Sequence, residues 1–162
     1  MVLRAVDPQI DADFDAWFGI LSRSEALRDP AGTGSWRPEE WRARAMPDDP
    51  SVVYALATFD DGVVPLAAIA IRLNRDDNRH FAETHLHVDP AVRRRGVGTA
   101  AVHATEEMIL RVGRNEVGVV AAEGSEEHDL RPNRFFAPKM GYVLGDEAIR
   151  RDIAWPMDPQ RI

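Results

Sequence analysis

The chain has 162 residues, 44% hydrophobic and 29% charged, with no cysteine and a formal net charge of −7. This is the composition of one globular domain over residues 1–162; it excludes disulfides, thiolate metal sites and a cysteine nucleophile. The negative balance argues against nucleic acid as a partner, and no leader pattern or membrane-length apolar run occurs, so the expected compartment is the cytoplasm.

In chain order, Phe14, Trp17, Phe18 and Leu21 recur at helical spacing and predict a helix over Asp11–Leu27, with Asp11 and Asp13 suited to its positive end. A Gly/Pro-rich link follows, and "PEEWRARAM" from Pro38 predicts a second, short helix with proline at an early position. The pattern then changes to β. Ser51–Phe59 and Val63–Leu73 flank Asp60-Asp61-Gly62, a hairpin turn, and His80–Val88 alternates Ala82, Thr84, Leu86 and Val88 with Glu83, His85 and His87. Three antiparallel strands in a meander are expected. A helix from Gly96 to Val112 ends at Gly113, and Glu116–Ala122 predicts a short buried strand in parallel pairing across that helix. "RPNRFFAPKMGY" predicts a short helix disturbed by Pro138, and Ala148–Trp155 a closing strand.

The chemistry concentrates in "VDPAVRRRGVGTA", where Arg93, Arg94 and Arg95 precede Gly96-Val97-Gly98 at a helix start. Unpaired N–H groups and the helix dipole favour an anion there, glycine permits close backbone approach, and arginine adds forked donors. Two readings stay open on local physics: an anion cradle, or an ordinary glycine-rich helix start. It is not a P-loop, since no GK[ST] follows. Nor is it a dinucleotide fingerprint, since Ala101 stands where a third glycine would be.

The stretch resembles the acetyl-CoA-binding motif of the GNAT superfamily of N-acetyltransferases, Arg/Gln-x-x-Gly-x-Gly/Ala after a strand ending in Val-x-Pro, with Arg93, Gly96 and Gly98 at the motif positions. The order of elements resembles that family over nearly the whole chain, and also resembles proteins with two such domains in tandem. The resemblance implies an α/β fold with an α+β mixed sheet: N-terminal helices, an antiparallel meander, a central motif helix and splayed central strands. It implies acetyl-CoA as co-substrate. Leu86, His87 and Val88 would offer main-chain groups to its pantetheine arm, and the backbone of Arg93, Arg94, Arg95, Gly96, Val97, Gly98 and Thr99 would wrap its pyrophosphate. The reaction implied is direct attack of an amine on the thioester.

One departure from the family pattern concerns the acid. Many members carry a tyrosine four residues before a Gly-Phe pair; here the pair is Gly141-Tyr142, and Ala137 occupies the tyrosine's position beside Phe136, which has no hydroxyl. The asparagine that often begins this helix is out of register too, with Leu130 in its place and Asn133 three residues on. For the base, Glu83 and His85 are the catalytic candidates on a strand face shared with His87, against the reading that they are solvated or structural; Glu123 is a further candidate. Phe14, Trp17 and Trp41 are expected in the core. No metal is expected. The expected partner is a small-molecule amine, cationic if the acidic run "AEGSEEHD" borders its site, with a homodimer or a second GNAT domain as further partners. A catalytically weak acyl-CoA-binding or regulatory domain is the alternative function.

Overall fold

The computed structural model describes residues 2–28, 36–45, 52–120 and 132–145. Along the chain run β1 (Val2–Val6), α1 (Asp11–Arg28), α2 (Pro38–Ala45), β2 (Val52–Asp60), β3 (Pro65–Asn74), β4 (Phe81–Val88), a 3-10 turn (Pro90–Val92), α3 (Val97–Arg111), β5 (Glu116–Val119) and α4 (Pro132–Lys139). The sheet order is β1-β2-β3-β4-β5, antiparallel throughout except for the parallel β4–β5 pair. The expected meander is therefore present, and α3 is the crossover between the parallel strands. The expected closing strand at Ala148–Trp155 and the last residues of the Glu116–Ala122 strand lie outside the described residues.

The sheet separates two apolar layers because alternate side chains of a strand point to opposite faces. On one face Ala68 and Ala70 of β3 meet Phe14, Trp17, Ile20 and Leu21 of α1 and Trp41 of α2. On the other, Ala67, Ile69 and Ile71 of the same strand meet Val97, Ala101 and Ile109 of α3. Phe14, Trp17 and Trp41 are core residues, as their helical spacing indicated. The Trp17 indole N–H donates to the Ile69 carbonyl over 2.9 Å, so its one polar atom is satisfied inside the layer.

Helix ends follow their local chemistry. At the start of α2 the Arg37 N–H donates to Glu40 Oε2 at 2.7 Å, the return half of a capping box. Gly113, at φ +80°, ends α3 with Gly113 N–H donating to Leu110 O and Arg114 N–H to Ile109 O. Gly141, at φ +89°, ends α4 in the same way, through Gly141 N–H to Pro138 O and Tyr142 N–H to Ala137 O. Pro138 thus sits in the last turn and does not break the helix.

Two elements differ from the sequence expectation. β1 was not anticipated: "VLRAV" has no clean alternation, and only Val6 of it is buried. It is held by its ladder to β2 and by Arg4, which bonds Asp60 on β2 at 3.4 Å and Asp13 on α1 at 3.2 Å. β5, expected to be buried, is half-exposed, with Val119 37% accessible; β4 is its one partner among the described residues. Gly118 is bare because the Phe81 ring lies across it, 2.5 Å from where a Cβ would stand. No helix among the described residues is long and apolar enough to cross a membrane.

Candidate active site

β4 delivers the chain to the cradle. The Asp89 N–H donates to Leu66 O at 2.9 Å, and the Asp89 carboxylate caps the 3-10 turn by accepting from Ala91 N–H at 2.9 Å. Burial alone would raise the Asp89 pKa, but the Arg23 guanidinium, the Ala91 N–H and the charge of Arg93 outweigh it and hold the carboxyl below its ordinary value. After this turn the backbone twists sharply. Arg93 is extended, Arg94 is left-handed at φ 63°, and Gly96 is left-handed at φ 82°. Left-handed residues interspersed with right-handed or extended ones turn successive N–H groups toward one side, which makes an anion-binding concavity.

Gly96 is the N-cap of α3 and brings no side-chain bond to the helix end. The first intrahelical bond is from Ala100 N–H to Gly96 O, so the N–H groups of Val97, Gly98 and Thr99 precede the ladder. The Val97 side chain is buried and anchors the helix. At Gly98 a Cβ would stand 3.3 Å from the Phe136 ring of α4 and 3.5 Å from Val88. The two motif glycines therefore serve different ends: Gly96 sets a left-handed turn, and Gly98 admits a close helix crossing. These features fit an acyl-CoA pyrophosphate: a left-handed turn at Arg94 and Gly96, N–H groups ahead of the α3 ladder, no side chain at Gly96, and the exposed Arg94 and Arg95.

Beside the turn, β4 pairs with β5 over its first half. The β4–β5 ladder runs from Phe81↔Glu116 to Thr84↔Val119, with one more bond from Val120 N–H to Thr84 O at 3.2 Å. Residues 85–88 continue β4 without a β5 partner among the described residues. Leu86, His87 and Val88 lie on this part of β4; residues 121–131, which follow β5, lie outside the described residues.

The candidate base residues sit on the α1/α2 side of β4. His85 Nε2 lies 3.4 Å from Glu83 Oε1, and Arg72, opposite Glu83 in the β3–β4 ladder, lies 4.0 Å from Glu83 Oε2. Both side chains are about a quarter to a third accessible, and the Trp41 ring stands edge-on to His85 at 6.1 Å. The structure thus joins Glu83 and His85 into one polar pair. His87 is separated from them and faces α1, with Nδ1 3.4 Å from Ser24 Oγ. Glu123, Leu130 and the acidic run lie outside the described residues.

On the acid side, Ala137 carries no titratable group and its carbonyl closes the end of α4. The Tyr142 hydroxyl donates to Glu106 Oε1 on α3 at 2.8 Å, and His103 Nδ1 lies 3.5 Å from Glu106 Oε2. Burial first, and the Glu106 carboxylate second, push the Tyr142 pKa far above its ordinary range. Tyr142 is therefore a helix tie with a firmly held proton.

Sequence reasoning missed the α1 partners of the cradle. Arg23 NH2 bonds Asp89 Oδ2, and Arg93 NH2 donates to Ser24 Oγ at 2.8 Å. The Asp-Pro pair at 89–90 was a legible cap signal; nothing marked Ser24. A shallow hollow lined by Asn78, His80, Phe81 and Glu116 lies at the other end of β4, away from these groups.

A left-handed, glycine-bearing turn between a sheet strand and a helix N-terminus fits an acyltransferase of the GNAT fold. The family model described as "Acetyltransferase (GNAT) family" matches residues 16–142, and the chain belongs to that family. Among solved structures it is similar to an aminoglycoside acetyltransferase from an uncultured soil metagenomic sample in complex with sisomicin, with 15% identity, 94% of each chain covered and a TM-score of 0.60. It is similar to an aminoglycoside N-acetyltransferase in complex with CoA, at 13% identity, 94% and 98% coverage and a TM-score of 0.59. It also resembles a tandem GNAT protein of clavulanic acid biosynthesis, at 20% identity and a TM-score of 0.64, over 86% of this chain and 42% of that one. No curated protein matches the sequence.

Proposed function

We propose that the protein is a cytoplasmic N-acetyltransferase that moves the acetyl group of acetyl-CoA to a primary amine of a small molecule. The observation that carries this reading is the turn at Arg94 and Gly96, left-handed at both residues, opening α3 directly after β4 and its 3-10 turn. Bound acetyl-CoA supplies an activated thioester. The backbone from Arg93 to Thr99 holds its pyrophosphate, Arg94 and Arg95 screen the charge, and the main chain of Leu86, His87 and Val88 orients its arm.

The chain's own proton chemistry falls to the Glu83–His85 pair. An amine must be neutral to attack, and the pair offers an imidazole backed by a carboxylate at 3.4 Å to receive its proton. No hydroxyl comes from Ala137, and that of Tyr142 is engaged by Glu106, so solvent protonates the leaving thiolate. The same observation favours a second reading, a coenzyme-binding domain with little turnover. The acidic residues Glu123, Glu126 and Glu127 support a cationic acceptor by charge complementarity.

Calorimetric titration with acetyl-CoA, followed by a thiol-release assay over a panel of amines, tests both readings. Binding with release on cationic amines supports the enzyme, and binding without release on any amine supports the second reading. Gly96→Asp adds a side chain and a negative charge to the cradle, and is expected to abolish binding while far-UV circular dichroism stays the same. Unchanged affinity in that variant would sink the assignment of the cradle.

A further inference from the structure

The Arg93 side chain turns away from the anion side of the turn and into the protein. Its Nε donates to the Val88 carbonyl at 3.2 Å and its NH2 donates to Ser24 Oγ at 2.8 Å. One planar guanidinium thereby joins the last residue of β4, the C-terminal half of α1 and the first residue of the cradle. The neighbouring pair repeats the connection: Arg23 of α1 holds Asp89, whose other oxygen caps the 3-10 turn. Between these ties and α3 stands Arg94, a non-glycine residue in the left-handed region. Such a conformation persists where the flanking structure over-determines it. Here the flanking constraint on the N-terminal side is Arg93, and Arg93 is held at its far end by a hydroxyl distant in sequence.

We infer that Ser24 is a positioning residue of the coenzyme cradle, acting through Arg93 to hold the left-handed turn whose N–H groups receive the pyrophosphate. The inference rests on the proposed coenzyme site. It also gives the arginines separate duties: Arg93 is an internal strut, and Arg94 and Arg95 meet the anion. A lysine at position 93 keeps the charge but cannot span both acceptors with one ammonium group.

The test is a double-mutant cycle on the full chain, read by calorimetric titration with coenzyme A. Ser24→Ala and Arg93→Lys should each weaken binding about 3- to 10-fold, and the double variant should be no weaker than Arg93→Lys alone. Ser24→Thr, which keeps the hydroxyl, should restore the wild-type affinity. Losses that multiply in the double variant, or an unchanged affinity in Ser24→Ala, overturn the strut. A variant that melts early is read against Ser24→Thr at matched folded fraction, so a general packing defect is distinguished from a local one. A wild-type protein that does not bind coenzyme A would instead overturn the proposed function itself.

Discussion

Two titrating side chains respond to pH in opposite directions. Asp89 has a folded pKa below its ordinary 3.8, so its contribution is present above that value and is lost as pH falls through the folded pKa. Asp89→Asn should therefore lower stability at pH 6 and flatten the acid limb of a melting profile; a parallel shift at every pH would show that the charge is unimportant. Tyr142 has a folded pKa above its ordinary 10.0, so its contribution is complete below pH 10.0 and declines as pH rises further. Tyr142→Phe should cost about 1 kcal/mol in urea unfolding at pH 7. Turnover should stay within about twofold, because the lost bond ties α3 to the end of α4 and not to a reacting atom. A rate loss of about a hundredfold would instead assign Tyr142 the role of acid.

α3 and α4 meet where a side chain is missing. Gly98→Val puts branched carbons against the Phe136 ring and Val88, already 3.3 Å and 3.5 Å from a plain Cβ, and should cost about 1–3 kcal/mol. It should also weaken coenzyme binding, since the first turn of α3 must shift. Titration showing full affinity would mean that the crossing is independent of the cradle. The same elements show what the chain revealed before folding. α1 and α3 were legible from periodic apolar residues, and Gly113 and the hairpin at Asp60-Asp61-Gly62 from turn chemistry. β1 was not, because its stability comes from β2 and from Arg4, not from its own pattern. In the site, Gly96 and Gly98 carried a local signal, whereas Ser24 and Arg93 lie 69 residues apart. A lone serine on a helix gives no hint of what will fold beside it.

For the molecule as a whole, the sheet is the common wall of two cores, and the proposed chemistry uses both sides of it. The layer under α1 and α2 supports the Glu83–His85 pair, and the layer under α3 supports the cradle. Trp17 secures the first layer by filling it and by bonding the Ile69 carbonyl in the middle strand. Trp17→Phe should destabilise the domain by about 1–3 kcal/mol, from lost volume and a lost buried bond. Coenzyme affinity measured well below the new melting point should remain, since the ties of the cradle to α1 run through Arg23 and Ser24, well along the helix from Trp17. Loss of affinity in the folded variant would show that the two layers are coupled more tightly than their separate packing implies.

The backbone at Arg94 also sets a limit on how heat-tolerant this protein can be. A side chain in the left-handed region costs about 1 kcal/mol relative to glycine. Replacing it with glycine should raise the melting temperature by roughly 2–4 °C for a domain of this size, the reverse of what most substitutions do. The same change removes a positive charge from the rim, so coenzyme affinity should fall, and fall less at high salt. Directed selection for thermostability alone would then be expected to discard this arginine early, and selection for coenzyme use to restore it.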